Sequence, residues 1–120
     1  MGTINHNCVV ATTWKTEAFD EVKMFILADS EMNGMCVFST GLINGYSTIF
    51  CGPDGSEEGW PASDKADTIR EKLITKIETY NYEDGSSPWD WVEIGWGEYG
   101  QMVLRGNNKN QFNNKVYADS

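Results

Sequence analysis

Apolar and polar positions along the chain follow two periods, and the changes between them divide it into alternating strands and helices. Asn7 to Trp14 (NCVVATTW) is short and rich in β-branched residues, and reads as a first, buried strand. Thr16 follows as a helix cap, with Glu17, Asp20 and Glu21 in the first turns, where the positive end of the helix dipole favours acids. Phe19, Val22 and Ile26 fall at i, i+3 and i+7 on one apolar face, which Phe25 widens. This helix is expected to stop before Asn33-Gly34, a left-handed C-terminal signal. Met35 to Thr40 and Tyr46 to Cys51 are β-like runs around Gly41-Leu42-Ile43-Asn44-Gly45, which predicts an antiparallel hairpin.

Gly52-Pro53-Asp54-Gly55-Ser56 breaks the pattern. A second helix follows, capped by Ser63 or Asp64, in which Ala66, Ile69, Leu73, Ile77 and Tyr80 recur at i, i+3, i+7, i+11 and i+14. Trp89 to Trp96 (WDWVEIGW) and Gln101 to Arg105 then flank Gly97-Glu98-Tyr99-Gly100 and predict another hairpin. Alternation puts Val92, Ile94 and Trp96 on one face of its first strand and Trp89, Trp91 and Glu93 on the other, one of the two being core. The order β, α, β, β, α, β, β makes this an α+β protein, an antiparallel or mixed sheet of five to six strands with two amphipathic helices packed on it. Residues 1–120 read as a single domain, with 106–120 partly loop or an oligomer-contact tail in which Lys115-Val116-Tyr117 is a candidate edge strand.

Composition narrows the class. At 120 residues with 40% apolar and 12% aromatic content, the chain can build one core without a staple. A net charge of −9 excludes a protein that coats nucleic acid, which needs clustered Lys and Arg. It leaves an acidic surface that mimics nucleic acid, or plain solubility with function in a local pocket. Cys8, Cys36 and Cys51 each sit inside an apolar run and read as reduced core thiols. With a single His in the chain, neither a Cys/His metal cage nor a Cys–His nucleophile has enough to build on. No apolar run long enough to cross a bilayer appears, so the expected location is the cytosol.

The candidate chemistry is that of binding. His6, between two Asn, reads as an ordinary exposed side chain. Glu57-Glu58 and Asp64/Asp67 lack the spacing of a calcium loop and read as solvated acids, so no metal site is expected. The Gly52–Ser56 stretch lacks the lysine of a phosphate loop and reads as a tight turn, although the helix start after it can seat an anion. No nucleophile, base or metal set can be nominated, so the chain is expected not to be an enzyme and to need no cofactor. Trp89 and Trp91 are weighed between core and base-stacking platform, core or a dimer interface being the heavier alternative. Arg70 and Arg105 carry the only guanidinium groups, the natural grip on a phosphate. Arg105 ends a strand opposite the Trp-rich one and is followed by Gly106, Asn107 and Asn108, so an aromatic, a cation and amide donors can converge there. Arg70 can equally pair with Asp67 at i, i+3.

The segment Asn44-Gly45-Tyr46 through Pro53-Asp54-Gly55-Ser56, Gly59-Trp60, Ser63-Asp64 and Arg70, with Trp91-Val92-Glu93-Ile94 and Gly97 later, resembles small phage proteins of the first Thoeris anti-defence family. The likeness spans roughly residues 7–105 and is most specific in the PDGS…GW…SD…R run. It implies an α+β protomer that assembles as dimers or as a hexamer of three dimers in the cytoplasm of an infected bacterium. It also implies that the protein sequesters, without cleaving it, a glycocyclic ADP-ribose made by host TIR-domain proteins, with cyclic trinucleotides as possible second ligands. Family members hold the ligand with arginines and a stacking aromatic across the subunit interface. Arg105 carries over as the arginine closing the late hairpin, and with two arginines in the chain a lysine such as Lys23 would replace a phosphate contact. The rival is an acidic nucleic-acid mimic that inhibits a host defence protein, followed by an enzyme acting on a nucleotide.

Overall fold

The computed structural model describes residues 5–41, 44–54, 61–98 and 100–107. Its elements are β1 (Asn5–Thr13), α1 (Thr16–Leu27), α2 (Ser30–Met35), β2 (Cys36–Ser39), β3 (Ser47–Cys51), α3 (Pro61–Glu78), β4 (Trp89–Gly97) and β5 (Gly100–Gly106). The strands form one sheet in the order β2-β3-β1-β4-β5, antiparallel throughout. The α+β architecture expected from the sequence is therefore present, and both expected hairpins pair as adjacent strands. The candidate strand at Lys115–Tyr117 lies outside the described residues. Among the described residues no helix is long and apolar enough to cross a membrane.

Period-two alternation gives the sheet two faces. On one, Val9 and Ala11 of β1, Ile49 and Cys51 of β3, and Trp89 and Trp91 of β4 meet Phe19, Val22 and Ile26 of α1, Met32 of α2, and Ile69, Leu73, Ile74 and Ile77 of α3. The Trp89 ring is completely buried in this layer. Thr13, also buried, donates from Oγ1 to the Pro88 carbonyl at 2.8 Å and ties the end of β1 to the start of β4. Among the described residues no helix covers the opposite face, and it is apolar as well. Val37, Phe50, Val10 and Val92 stand in one row across four strands, and Cys8 and Ile94 pair in a neighbouring row.

Several boundaries differ from the sequence reading for local reasons. Thr16 is the first residue of α1 and not its cap; Lys15 holds the cap position without a side-chain bond. The helix also ends early, at Leu27. Asp29 starts a new one, its Oδ1 accepting from the amides of Glu31 and Met32 at 3.1 and 3.2 Å. This cap carries the chain through Asn33-Gly34 as the short helix α2, overriding the expected stop there. The third helix begins at Pro61, ahead of the expected caps Ser63 and Asp64, because a proline ring fixes the backbone angle that a first helical residue needs. In the β2–β3 connection a Cβ on Gly41 would lie 1.6 Å from the Tyr46 carbonyl oxygen, so only glycine passes there.

Arg70 fastens α3 to the sheet. Its side chain is 3% exposed. Nη1 donates to the carbonyls of Gly52 (3.2 Å) and Asn7 (3.3 Å), and Nη2 to Asp67 Oδ1 at 2.7 Å, with Asp54 at 3.9 Å. One side chain thus joins the helix, the end of β3 and the start of β1. Replacing it by methionine, which fills similar space, leaves two carbonyls without their donor. Arg70→Met is expected to lose about 3 kcal/mol of stability in urea denaturation, and a loss below about 1 kcal/mol would show the clamp to be dispensable.

Candidate functional site

The apolar stripe of α3 faces the sheet, which leaves Thr68, Glu71, Lys72, Thr75, Lys76 and Thr79 on its outer side. With Phe25 of α1 these residues line a groove of about 460 Å³, a size suited to a small ligand. An adjoining depression is lined by Asp20, Glu21, Met24, Phe25 and Lys76. Phe25 lies here, 36% exposed, and does not extend the core face of α1 as its sequence position suggested.

Cations and an aromatic ring converge in the groove. The Lys76 ammonium stands 5.5 Å from the centroid of Phe25 and 5.6 Å from that of Tyr80, within range of both ring faces. Tyr80 donates its hydroxyl to Glu21 at 2.6 Å; partial burial and this bond push its phenol up to about 12. Lys72 donates to Asp29 Oδ2 at 2.9 Å. That bond first, and the Met32 amide second, hold the Asp29 carboxyl below its ordinary value. On the third side, Glu71 accepts from Arg105 Nη2 at 2.6 Å, while Arg105 Nε donates to Glu93 at 2.6 Å. The Glu71 bond raises the arginine's pKa further, so a fixed positive charge is tethered to the groove's rim.

The residues nominated from sequence separate into groups. Arg105, Asn107, Trp89 and Trp91 are brought together where β4 meets the end of β5, but not as a stacking platform. Trp89 and Trp91 are 0% and 8% exposed beneath the helices, with no ring face left for a base. Asn107 spends its amide on the β4 backbone, accepting from the Trp91 amide at 3.1 Å and donating to the Trp89 carbonyl at 2.7 Å, so it continues the ladder beyond β5. Arg70 is the buried clamp described above and is not free to meet a ligand. Lys23 projects over the Phe38 ring at 5.4 Å, away from the groove's lining. His6, expected to be exposed, is half-buried with its ring 5.6 Å from that of Trp96. Of the six ligand-binding candidates, then, none lines the groove, and Arg105 alone bonds to a residue that does, Glu71.

Lys72, Lys76 and Phe25 escaped the sequence reading because each had an ordinary explanation as a helix surface or core residue. A signal was nonetheless present: two lysines at i, i+4 face an apolar residue that lies beside the core stripe of the first helix. Among the described residues no group of three His, Cys, Asp or Glu is placed to hold a metal. What the groove offers is an apolar wall, two ammonium groups, threonine hydroxyls and a guanidinium at one edge, a set suited to a flat ring carrying negative charge.

The Lys72–Asp29 bond makes a pH prediction. Because the Asp29 pKa is depressed in the folded state, its contribution to stability is present above the ordinary carboxyl value of 3.8 and is lost as pH falls through the folded value. In a carboxyl-carbon NMR titration Asp29 is expected to titrate below 3.8 and to move upward in Lys72→Ala; an unmoved midpoint would break the link between this lysine and that acid.

Comparison of the chain with protein-family models, with curated proteins and with solved structures gives no match, so the reading of the groove rests on its own chemistry.

Proposed function

We propose that this chain is a non-catalytic sponge that binds and sequesters a cyclic ADP-ribose-type signalling nucleotide, and that it acts as a phage anti-defence protein against Thoeris-type immunity in the host cytoplasm. The observation that carries the reading is the convergence, on one groove, of the Phe25 ring, the Lys76 and Lys72 ammonium groups and, through Glu71, the Arg105 guanidinium. An adenine stacks on Phe25, in place of the buried tryptophans. The pyrophosphate meets the cations. Cyclic trinucleotides, which share the base-plus-phosphate chemistry, are the second ligand class.

The open face of the sheet supports self-association. Two copies at −9 each repel, so they can meet only where charge is absent. The row Val37, Phe50, Val10, Val92 and the adjacent Ile94 form such a surface, with Asp90 at one end. A dimer through this face leaves the groove free on the far side of the helices.

Two measurements test the proposal. In calorimetric titration with a glycocyclic ADP-ribose, Lys76→Ala and Arg105→Ala are each expected to weaken binding roughly tenfold or more, the loss of one charge-assisted contact, with circular dichroism unchanged. The nucleotide should be recovered chemically intact after heat denaturation. Wild-type affinity in both variants would remove the groove as the site, and absence of binding by the parent protein would remove the function. In sedimentation, Ile94→Lys is expected to convert an oligomer into monomers; a parent chain that sediments as a monomer overturns the self-association.

A further inference from the structure

Cys36 and Cys51 stand directly opposite each other in the β2–β3 hairpin. The backbone defines what kind of pair they are: the Gly52 amide donates to the Met35 carbonyl at 2.9 Å. A bond between the residue after one cysteine and the residue before the other marks a non-hydrogen-bonded pair, where Cα atoms approach to about 4.5 Å and side chains lie closest. That separation falls at the short end of the roughly 4.4–6.8 Å over which a disulfide joins two residues. Both side chains leave the sheet on its helix-covered face, and both thiols are free.

The two sulfurs differ in exposure and in acidity. Cys51 is fully buried and Cys36 is half-buried, so solvent reaches Cys36. A hydrogen bond with Cys36, and after it the Arg70 guanidinium seated on the neighbouring Gly52 carbonyl, hold the Cys51 thiol below its usual pKa. The same bond, with burial, pushes the Cys36 thiol up. The inner sulfur is the readier thiolate and the outer one the accessible target.

We propose that Cys36 and Cys51 form an oxidation site, a cross-strand dithiol that hydrogen peroxide closes into an intramolecular disulfide. Cys36 sulfur attacks the peroxide, the O–O bond breaks, and Cys36 sulfenic acid and one water form. Cys51 thiolate then attacks the Cys36 sulfur and displaces hydroxide, which takes up the Cys51 proton as a second water. Two thiols and one peroxide give one disulfide and two waters, the sulfurs being oxidised and the peroxide reduced. Because Cys51 stands directly opposite Cys36, the second step is intramolecular and the sulfenic acid does not accumulate. The product clips the four-residue edge strand β2 to its neighbour.

The test treats the full chain with hydrogen peroxide, alkylates it after denaturation and maps the peptides by mass spectrometry. The expected product has lost two hydrogens and links the Cys36 peptide to the Cys51 peptide, with Cys8 alkylated. In Cys51→Ser, dimedone is expected to trap sulfenic acid at Cys36, which it does not trap in the parent. Three alkylated thiols after treatment, sulfinic acid at Cys36 of the parent, or a disulfide through Cys8 or between chains would each overturn the site. The parent's map decides the question even if the serine variant fails to fold.

Discussion

A guanidinium removed from water needs partners for its charge, and the position of Arg70 shows how much of this fold answers to that demand. Two backbone carbonyls, those of Asn7 and Gly52, and the Asp67 carboxylate replace the lost solvent, with Asp54 just beyond. Meeting those partners fixes three things together: the seat of α3 on the sheet, the direction in which the chain leaves β3, and the alignment of β1 with both. The Pro-Asp turn and the later arginine of the sequence motif thus meet in space as a structural clamp. The hydrogen bond between the two cysteines sets the polarity of that pair, and the same positive charge adds to it at Cys51.

What was legible in the sequence was whatever a single element decides for itself. The stripe Ala66, Ile69, Leu73, Ile77 declared α3, and the alternation in WDWVEIGW declared β4 together with the division of its side chains between two faces. Which face the helices would cover was not legible, because both are apolar: Trp89 and Trp91 on one side, Val92, Ile94 and Trp96 on the other. That choice is made by packing against α1 and α3, which no local pattern records. It decides whether two indoles are core or platform. The break after Leu27 was hidden for a related reason, since the Asp29 cap competes with a helix pattern that would otherwise run on.

The groove illustrates the same limit. Its residues come from two helices distant in sequence, and each taken alone belongs to a common class: lysines on a solvated helix face, a phenylalanine beside a core stripe. Only the placement of α1 against α3 sets Lys76 against Phe25, and only the β4–β5 hairpin carries Arg105 to Glu71. Arg105 was visible from sequence because guanidinium groups are scarce in this chain.

Lys23, Lys72, Lys76, Arg70 and Arg105 each have a carboxylate or a ring beside them, and magnitudes separate those that can change partner from those that cannot. Exposed pairs such as Lys72–Asp29 and Arg105–Glu71 contribute on the order of 0.2–1 kcal/mol each, whereas a charge-assisted hydrogen bond to an anion is worth about 1.5–3 kcal/mol. Both pairs are therefore weak enough to open in water. The Arg105–Glu93 bond is different, because Glu93 is 7% exposed and would be left as an unpaired buried charge. Arg105 Nε on Glu93 is therefore the bond that holds the side chain in place, while its terminal nitrogen meets the more exposed Glu71. Arg70, itself 3% exposed and bonded to two backbone carbonyls, is held where it is by the same reasoning.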